Sequence, residues 1–413
     1  MENPIIFHID VNSAFLSWSA LELLEKGSET DLRLIPSIVG GDRSTRHGVV
    51  LAKSIPAKKY GITTGEPVAA AFRKCPTLVT VPPNHSLYHQ RSRQLMDYLH
   101  GFCPDIEQVS IDECYMDYSP ISSKYASPEE AAALIKDSVL EKFGFTVNVG
   151  ISDRKVLAKM ASDFRKPNLV HTLYRREIRE KLWPLPVSRL FLCGRSSAET
   201  LKKLGILTIG DLAASDPRIL ESHLKSHGRM LWRYANGDDD SLVIPEPAEA
   251  KGIGNSVTLA ADAATREDAV MILLELAESV GKRLRAAHTK AGQVCTEIKY
   301  STFRSVSHQT ALPAPSASTD VLYRTACTLF DELWDGSPIR LLGVRAGKLS
   351  EEDQPVQLSL FDEDFPTDEK RRKLDAALDQ IRSKYGKEAI KRGSLMDFPN
   401  TASTPKTKPE SPD

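Results

Sequence analysis

Length, composition and charge set the first limits on this chain. It has 413 residues, of which 41% are hydrophobic and 26% are charged, values that are typical of a globular protein and not of a disordered one. At roughly 100 to 200 residues per domain, this length predicts two to four domains. No apolar run approaches the roughly 20 residues of a membrane span, and the first residues lack the features of a secretory signal. We therefore expect a cytoplasmic protein with no membrane partner.

The net charge is −1, but the charged residues are unevenly distributed. Residues 151–237 contain 17 Lys and Arg against 8 Asp and Glu, whereas residues 350–413 contain 11 against 14. A basic stretch of this kind is typical of nucleic-acid-binding proteins, although a solvated basic surface gives the same count. The six cysteines form no C-x-x-C pair, which argues against zinc-ribbon and thioredoxin-type sites.

Strand-like and helix-like patterns alternate over the first 170 residues. Strands are predicted at IIFHIDV, in a hairpin at SIVGGDRSTRHGVVLAKS, at QVSIDECYMDY and at FTVNVGIS. Helices are predicted at SAFLSWSALELLEKG, from Ser86 to Phe102, at PEEAAALIKDSVLEKFG with Ser127 as N-cap, and at DRKVLAKMASDF. This alternation predicts an α/β or α+β layer with one central sheet.

The remaining chain reads as a helical region, a linker, a second α/β pattern and a tail. LKKLGILTIGDLAAS is similar to half of a helix-hairpin-helix, in which backbone N–H groups approach a DNA phosphate. DDDSLVIPEPAEAKG has the acids and prolines of a linker. Residues 252–349 then predict strands at NSVTL, VCTEIKYS, SVSHQTAL and RLLGVRAGKL, with helices at 265–287 and 319–334. After Ser350 we expect a charged helix at DEKRRKLDAALDQIRSKYG and a disordered end.

Two adjacent carboxylates, Asp112 and Glu113, lie in the apolar stretch QVSIDECYMDY. One explanation is that one of them faces solvent while the other begins a turn, as charged pairs usually do. The other is that they need a cation, because an unpaired buried carboxylate costs several kcal/mol. Asp10 ends the first strand in a similar setting. If the two strands are neighbours, the three carboxylates converge on a pair of divalent cations such as Mg²⁺, a centre suited to phosphoryl transfer.

Five stretches, in this order, resemble the Y-family translesion DNA polymerases of the bacterial polymerase IV and polymerase V branch. They are HIDVNSAFLSW, QVSIDECYMDY, VNVGISDRKVLAKMASDFRKPN, LWPLP and LKKLGILTIGDL. The resemblance continues through YSTFRSVSHQTAL and LFDELWDGSPIRLLGV, and it covers residue 5 to about residue 361. It implies a DNA-directed DNA polymerase, a nucleotidyltransferase that copies past damaged bases without proofreading.

The fold implied by the resemblance is an α+β multidomain right-hand polymerase. It comprises a palm with a mixed β-sheet and helices (1–12 and 83–172), small fingers (13–82), a helical thumb with a helix-hairpin-helix (173–238), a linker (239–251), an α/β little finger (252–349) and a tail (350–413). One departure weakens the expected thumb contact with DNA, because Leu192 stands where the family hairpin has a glycine.

The resemblance also assigns the metal site. Asp10, Asp112 and Glu113 correspond to the catalytic carboxylates, and the backbone carbonyl of Val11 is a further ligand. The implied cofactor is a pair of Mg²⁺ ions.

Three further residues correspond to the family's nucleotide-binding positions. Phe15 matches the aromatic steric gate against the ribose 2′-OH, although the residue alone reads as a core phenylalanine of a helix. Lys159 matches the lysine that reaches the incoming triphosphate. Lys58 stands where many members have the arginine of a Tyr-x-x-Arg pair, and Ile55 replaces the tyrosine. An ammonium is a point charge and lacks the bidentate fork of a guanidinium. We therefore expect the triphosphate to be bound more weakly at Lys58, or to be bound mainly by other groups.

QLSLF, in the polar region after the predicted little finger, resembles the sliding-clamp binding motif. The residues concerned are Gln357, Leu358, Ser359, Leu360 and Phe361. A chance apolar pentapeptide that folds back on the protein is the alternative. The expected partners are therefore primer-template DNA, deoxynucleoside triphosphates and the bacterial β sliding clamp, and we expect a monomer.

Two functions other than polymerisation are also compatible with parts of the sequence. A non-catalytic relative that serves as a DNA and clamp adaptor has no need of the carboxylates, which are intact here. A palm-fold nucleotidyl cyclase has no need of a basic thumb, a little finger or QLSLF. These features of the sequence favour a polymerase over both alternatives.

Overall fold

The computed structural model describes residues 4–42, 48–246, 249–351, 365–386, 389–390 and 392–393. The chain divides into two compact units, Met1–Ser44 with Gly48–Pro247, and Ala248–Asp413. None of the helices in the described ranges is long and apolar enough to cross a membrane.

The first unit alternates strands and helices and then becomes helical. Its strands are β1 (Ile6–Val11), β2 (Ser37–Gly40), β3 (Val50–Lys53), β4 (Val79–Val81), β5 (Ile106–Gln108), β6 (Glu113–Asp117), β7 (Val147–Ser152) and β8 (Val170–Thr172). Its helices are α1 (Ala14–Glu25), α2 (Ile55–Lys59), α3 (Val68–Lys74), α4 (His85–His100), α5 (Pro128–Phe143), α6 (Lys155–Ser162), α7 (Ile178–Lys181), α8 (Arg195–Lys203), α9 (Ile209–Ala214), α10 (Pro217–Leu224) and α11 (Ser226–Ala235). Most bounds lie within a few residues of the predictions.

The central sheet has the strand order β5-β6-β1-β7-β8. Its pairs are antiparallel except for β7 with β8. Because successive side chains of a strand point to opposite faces, Phe7, Ile9 and Val11 enter the large core that α1, α4 and α5 share. His8 and Asp10 lie on the other face, against which α6 packs. β1, the middle strand of the sheet, thus has the apolar core on one face and a polar site on the other.

The prediction of one continuous strand over residues 108–118 is wrong. β5 and β6 form an antiparallel hairpin, and the residues between them make the turn, in which Val109 N–H donates to the carbonyl of Glu113. Val109 is 50% exposed, so its place in an alternating apolar pattern does not reflect burial. The Ser110 hydroxyl donates to Asp112 Oδ1 at 2.7 Å, a local bond that competes with strand pairing. Asp112 therefore belongs to the turn, and Glu113 begins the strand.

Gly150 lies in β7, where the backbone of α6 approaches the sheet closely. A Cβ atom at this position would lie 2.0 Å from the carbonyl oxygen of Ala158 and 2.5 Å from the amide nitrogen of Ser162. Both are backbone atoms, so the helix as a whole would have to move. We expect Gly150→Ala to lower the free energy of unfolding by about 3 kcal/mol, measured by urea denaturation. Gly194→Ala is the control, because a Cβ there meets no atom within 4 Å. Equal losses in both variants would contradict this explanation.

Two smaller cores complete the first unit. The sheet β3-β2-β4 and helices α2 and α3 enclose one of them. Helices α7 to α11 form the other, together with residues of α6 such as Val156 and Leu157. The predicted boundaries of palm, fingers and thumb remain predictions.

The predicted linker, residues 239–251, begins with residues that are bound to the first unit. Lys155 Nζ lies 2.7 Å from both carboxylate oxygens of Glu107 and donates to the carbonyl of Leu242 at 3.1 Å. The N–H of Ile244 donates to the same carboxylate at 2.8 Å. This part of the predicted linker therefore belongs structurally to the first unit.

The second unit consists of a four-stranded sheet and its helices. Its elements are β9 (Gly252–Ala263), α12 (Arg266–Ala286), β10 (Thr289–Tyr300), β11 (Ser305–Ser316), α13 (Thr319–Leu333), β12 (Ile339–Glu351) and α14 (Phe365–Tyr385). The strand order is β11-β10-β12-β9, with every pair antiparallel. α12 and α13 pack on the sheet and enclose a separate core.

α14 packs against this unit through buried charged groups. Asp375, 3% exposed, accepts from the N–H of Thr319 at 2.8 Å and pairs with Arg285 and Arg392 at 3.3 and 3.1 Å. Because a buried carboxylate needs such partners, these contacts fix the helix to α12 and α13. The predicted clamp motif at 357–361 and the predicted disordered end lie outside the described residues.

Candidate active site

A cleft of about 730 Å³ opens beside the polar end of β1. Five of the predicted site residues line it, namely Asp10, Val11, Phe15, Lys58 and Asp112. The predicted site residues Glu113 and Lys159 lie next to it, in contact with each other and, through Lys159, with Asp10. The structure thus brings together all seven residues predicted for catalysis, metal binding and nucleotide binding.

The three carboxylates come together because β1 and β6 are neighbours. Asp10 lies opposite Glu113 in the strand register. The turn that carries Asp112 is attached to β1 by a bond of 3.0 Å from Val11 N–H to the Asp112 carbonyl. Burial raises the pKa of Asp112, and the negative charges of Asp10 and Glu113 raise it further. The site therefore holds an excess of negative charge that a cation can offset.

Two lysines supply positive charge to this site. Lys159 Nζ lies 2.6 Å from Glu113 Oε2 and 3.3 Å from Asp10 Oδ2. Lys166 Nζ lies 2.7 Å from Asp10 Oδ1 and 2.8 Å from Asp163. Burial acts to lower the pKa of each lysine, but the carboxylates outweigh it and raise the pKa above its usual value. Both lysines are therefore charged at neutral pH.

The residues present fit a divalent metal ion. Asp10, Asp112 and Glu113 supply hard oxygen atoms, the ligands that Mg²⁺ prefers. The ammonium of Lys159 already bridges Asp10 and Glu113, so a cation is accommodated where their oxygens meet. His8, Asp10 and Glu113 each offer a ligand atom within 4.8 Å of the others.

His8 contacts Glu113, and no motif of the sequence indicates this contact. Its Nδ1 is 2.8 Å from the hydroxyl of Ser162, and its Nε2 is 3.3 Å from Glu113 Oε2. His8, together with Lys159, lowers the pKa of Glu113 to about 2, and Nε2 has no hydrogen-bond partner. Burial lowers the pKa of His8 itself. The residue is therefore neutral at physiological pH.

Phe15, at the start of α1, lies between the cleft and the large core. Its ring stacks on Tyr88 with centroids 4.4 Å apart and an interplanar angle of 10°. Tyr88 is fully buried, and its hydroxyl is 2.8 Å from that of Ser19. Phe15 itself is only partly buried and lines the cleft. Its ring therefore lies at the boundary between the cleft and the core, and the Tyr88 ring that supports it is held in place.

One side of the cleft carries both basic and apolar side chains. Lys53 and Lys58 line it together with Arg33 and Ile55. Burial lowers the pKa of Lys53, and the neighbouring charge of Lys58 lowers it further. Ile55, which replaces the family tyrosine, is 53% exposed. The expected weaker binding of triphosphate at Lys58 stays a prediction.

The helix-hairpin-helix stretch forms α8 and α9 around Gly205, whose φ is +80°. Leu192, where the family has a glycine, has a φ of 63° and is 50% exposed. This is the left-handed region that favours glycine. The hairpin thus keeps the backbone conformation that glycine prefers, although a leucine occupies it.

Comparisons with known families and structures show what this chain is similar to. The family model described as "impB/mucB/samB family" matches residues 9–163, and the model of its C-terminal domain matches residues 250–360. The solved structure of a Y-family DNA polymerase chimera, Dbh-Dpo4(243-245)-Dbh, aligns with a TM-score of 0.73 at 23% identity and covers 84% of this chain and 99% of its own. The α+β fold with mixed sheets is thereby confirmed.

Curated relatives match almost the whole chain. DNA polymerase IV of Clostridium acetobutylicum is 46% identical over 395 residues, 96% of this chain and 99% of the relative. DNA polymerase IV of Acetivibrio thermocellus and DNA polymerase IV 1 of Bacillus subtilis are each 36% identical, over 95% and 96% of this chain and 97% and 94% of their own lengths. The chain therefore belongs to the impB/mucB/samB family of Y-family DNA polymerases.

Proposed function

We propose that this protein is a template-directed DNA polymerase that copies past damaged bases by nucleotidyl transfer and does not proofread. The observation that carries the proposal is the meeting of Asp10, Asp112 and Glu113 at a cleft lined by Phe15 and Lys58, in a chain whose full-length relatives are named DNA polymerase IV. Its substrates are primer-template DNA and deoxynucleoside triphosphates.

Asp10, Asp112, Glu113 and the carbonyl of Val11 are the proposed ligands of two Mg²⁺ ions. When bound, such a pair activates the attacking oxygen and stabilises the leaving oxygen of phosphoryl transfer. The protein contributes the fixed positions of the carboxylates, because two of them lie in register on adjacent strands and the third is tied to β1 through its backbone. Positioning and charge stabilisation account for most catalysis of this reaction class.

Lys159 has two positions in this proposal. Without nucleotide its ammonium neutralises Asp10 and Glu113. With nucleotide it turns to the triphosphate, whose negative charge replaces that of the carboxylates. Lys166, paired with Asp10 and Asp163, remains to balance the charge of the site.

Primer extension by the purified protein with Mg²⁺ tests this function directly. We expect extension on an undamaged template, and insertion opposite an abasic site or a bulky lesion at a lower rate. We expect a mispaired 3′ end to persist, and metal-dependent removal of it would contradict the absence of proofreading. Absence of extension with intact DNA binding would instead support the adaptor function. No observation on the described residues favours that alternative.

A further part of the proposal is that QLSLF attaches the enzyme to the β sliding clamp. Apolar anchors in a groove usually dominate the affinity of such short peptides. We expect replacement of Gln357, Leu360 and Phe361 by alanine to remove retention on immobilised clamp and processive synthesis, with single-nucleotide insertion unchanged. Leu374→Ala, which removes a 53% exposed apolar side chain of α14, is the control. Unchanged retention of the triple variant would refute the assignment. We place the enzyme in the cytoplasm as a monomer.

A further inference from the structure

We infer that Asn12 and Asn148 are positioning residues, which hold residues 163–169 against the end of β1 and the start of β7 and thereby keep the ammonium of Lys166 beside Asp10. The consequence for catalysis rests on the proposed function of Asp10, whereas the contacts themselves do not. Neither asparagine belongs to the set that the family resemblance assigns.

Asn12 directly follows β1 and is buried. Its N–H donates to the carbonyl of Thr146 at 2.9 Å, so the backbone pairing of the strand continues through it. Its side chain uses both ends of the amide. Nδ2 donates to Asn148 Oδ1 at 3.2 Å, and Oδ1 accepts from the N–H of Asn168 at 2.9 Å. A carboxylate at this position would have no N–H for Asn148, so the contact requires an amide.

Asn148 lies on β7, opposite Asp10 in the strand register, and is fully buried. Its Nδ2 donates to the carbonyls of Ser162 at 3.0 Å and Arg165 at 2.6 Å, and its Oδ1 also accepts from the N–H of Leu169 at 3.3 Å. Exchange of the oxygen and nitrogen would place an acceptor against two carbonyl oxygens, so these partners fix the orientation of the amide. Together the two asparagines bind four backbone groups between residues 162 and 169.

The segment that is held in this way carries Lys166. Its ammonium lies 2.7 Å from Asp10 Oδ1 and 2.8 Å from Asp163 Oδ1. Backbone groups are bound on both sides of it in the chain, at Arg165 and at Asn168, so the backbone that presents the lysine is fixed. An ammonium at Asp10 competes with a divalent cation for the same carboxylate. The two asparagines therefore set how strongly Lys166 opposes the binding of a metal ion at Asp10.

The test compares Asn12→Ala with Lys166→Ala and with the double variant. Loss of the Asn12 amide removes the acceptor of the Asn168 N–H. We therefore expect this amide hydrogen to exchange about fivefold faster in Asn12→Ala, measured by hydrogen-exchange mass spectrometry on the protein without nucleotide. Lys166→Ala should leave this exchange unchanged. Ser152→Ala is the control, because Ser152 is a buried serine of β7 that donates to the Leu173 carbonyl and lies outside the site.

The second measurement is the dissociation constant of Mn²⁺, determined by electron paramagnetic resonance on the protein without nucleotide. We expect Lys166→Ala and Asn12→Ala each to lower it by about threefold, because a competing ammonium is removed or released. The double variant should match Lys166→Ala, since the asparagine acts through the lysine. A higher dissociation constant in Asn12→Ala, or an effect of Asn12→Ala that persists in the Lys166→Ala background, would overturn the inference, because the asparagine would then act on Asp10 itself or on the fold.

Asn12→Ser provides a second variant if Asn12→Ala does not fold. Its hydroxyl keeps a donor and an acceptor but is too short to reach Asn148 and Asn168 at once, so the same exchange and Mn²⁺ results are expected. The proposed function fails separately, if Asp10→Ala retains normal extension. Hydrogen exchange at Asn168 involves no turnover, so the two failures are distinguishable.

Discussion

Replacing Asp10, Asp112 or Glu113 by alanine is expected to lower nucleotide incorporation by at least about 10³-fold, because loss of several kcal/mol of charge stabilisation converts at 1.36 kcal/mol per tenfold. Binding of primer-template DNA should stay nearly unchanged, because DNA affinity depends mainly on lysine and arginine contacts with phosphates. Single-turnover insertion with Mg²⁺ and equilibrium DNA binding measure the two effects separately.

The matched control is Asp137→Ala, which removes a 65% exposed carboxylate of α5 in the same unit. It should leave insertion unaltered. The removal of Asp10 or Glu113 also leaves the ammonium of Lys159 with one carboxylate fewer, so a melting curve accompanies each variant. Near wild-type extension by each of the three variants would show that the catalytic centre lies elsewhere.

The second large effect is expected for Phe15→Ala, through the loss of sugar discrimination. If the Phe15 ring is the steric gate, it excludes the ribose 2′-OH by repulsion, and deletion of a repulsive element relaxes specificity more than it lowers activity. We expect the preference for deoxyribonucleotides over ribonucleotides to fall by about 100-fold, or ~2.7 kcal/mol. Insertion of deoxyribonucleotides should fall only moderately. Both insertions are measured opposite the same template base.

Phe145→Ala is the control for Phe15, because Phe145 belongs to the same large core and is 1% exposed. Removal of a core phenylalanine costs about 3 to 5 kcal/mol through the cavity that it leaves. Such a loss lowers all activity without changing the sugar preference. If Phe15→Ala behaved like Phe145→Ala, with an unaltered ratio of the two insertions, Phe15 would be a core residue and not a gate.

Much of β1, the strand that carries Asp10, could be predicted from its own residues. Phe7, Ile9 and Val11 alternate with polar positions, and this period of two predicts both the strand and a polar second face. The same rule places His8 beside Asp10 on that face. The sequence therefore predicts that His8 and Asp10 share a face of the sheet, but a lone histidine in a strand does not indicate what it contacts.

Other parts of the site depend on contacts that local sequence does not encode. The alternating apolar residues around Val109 predict a strand, whereas Val109 is half exposed and lies in a turn. Lys166 reaches Asp10 across 156 positions of the chain, and no local pattern predicts such a pair. The attachment of Ile244 to Glu107 likewise depends on tertiary structure. Local periodicity thus predicts the helices and strands, whereas long-range packing determines which charged side chains come into contact.

The attachment of α14 determines how the segment before it is tethered. β12 ends at Glu351 and α14 begins at Phe365, so the stretch that carries residues 357–361 is joined at both ends to the same unit. Joining both ends of a stretch of chain to one unit closes a loop, and loop closure costs entropy. The buried ion pairs of Asp375 offset that cost by fixing α14 to α12 and α13.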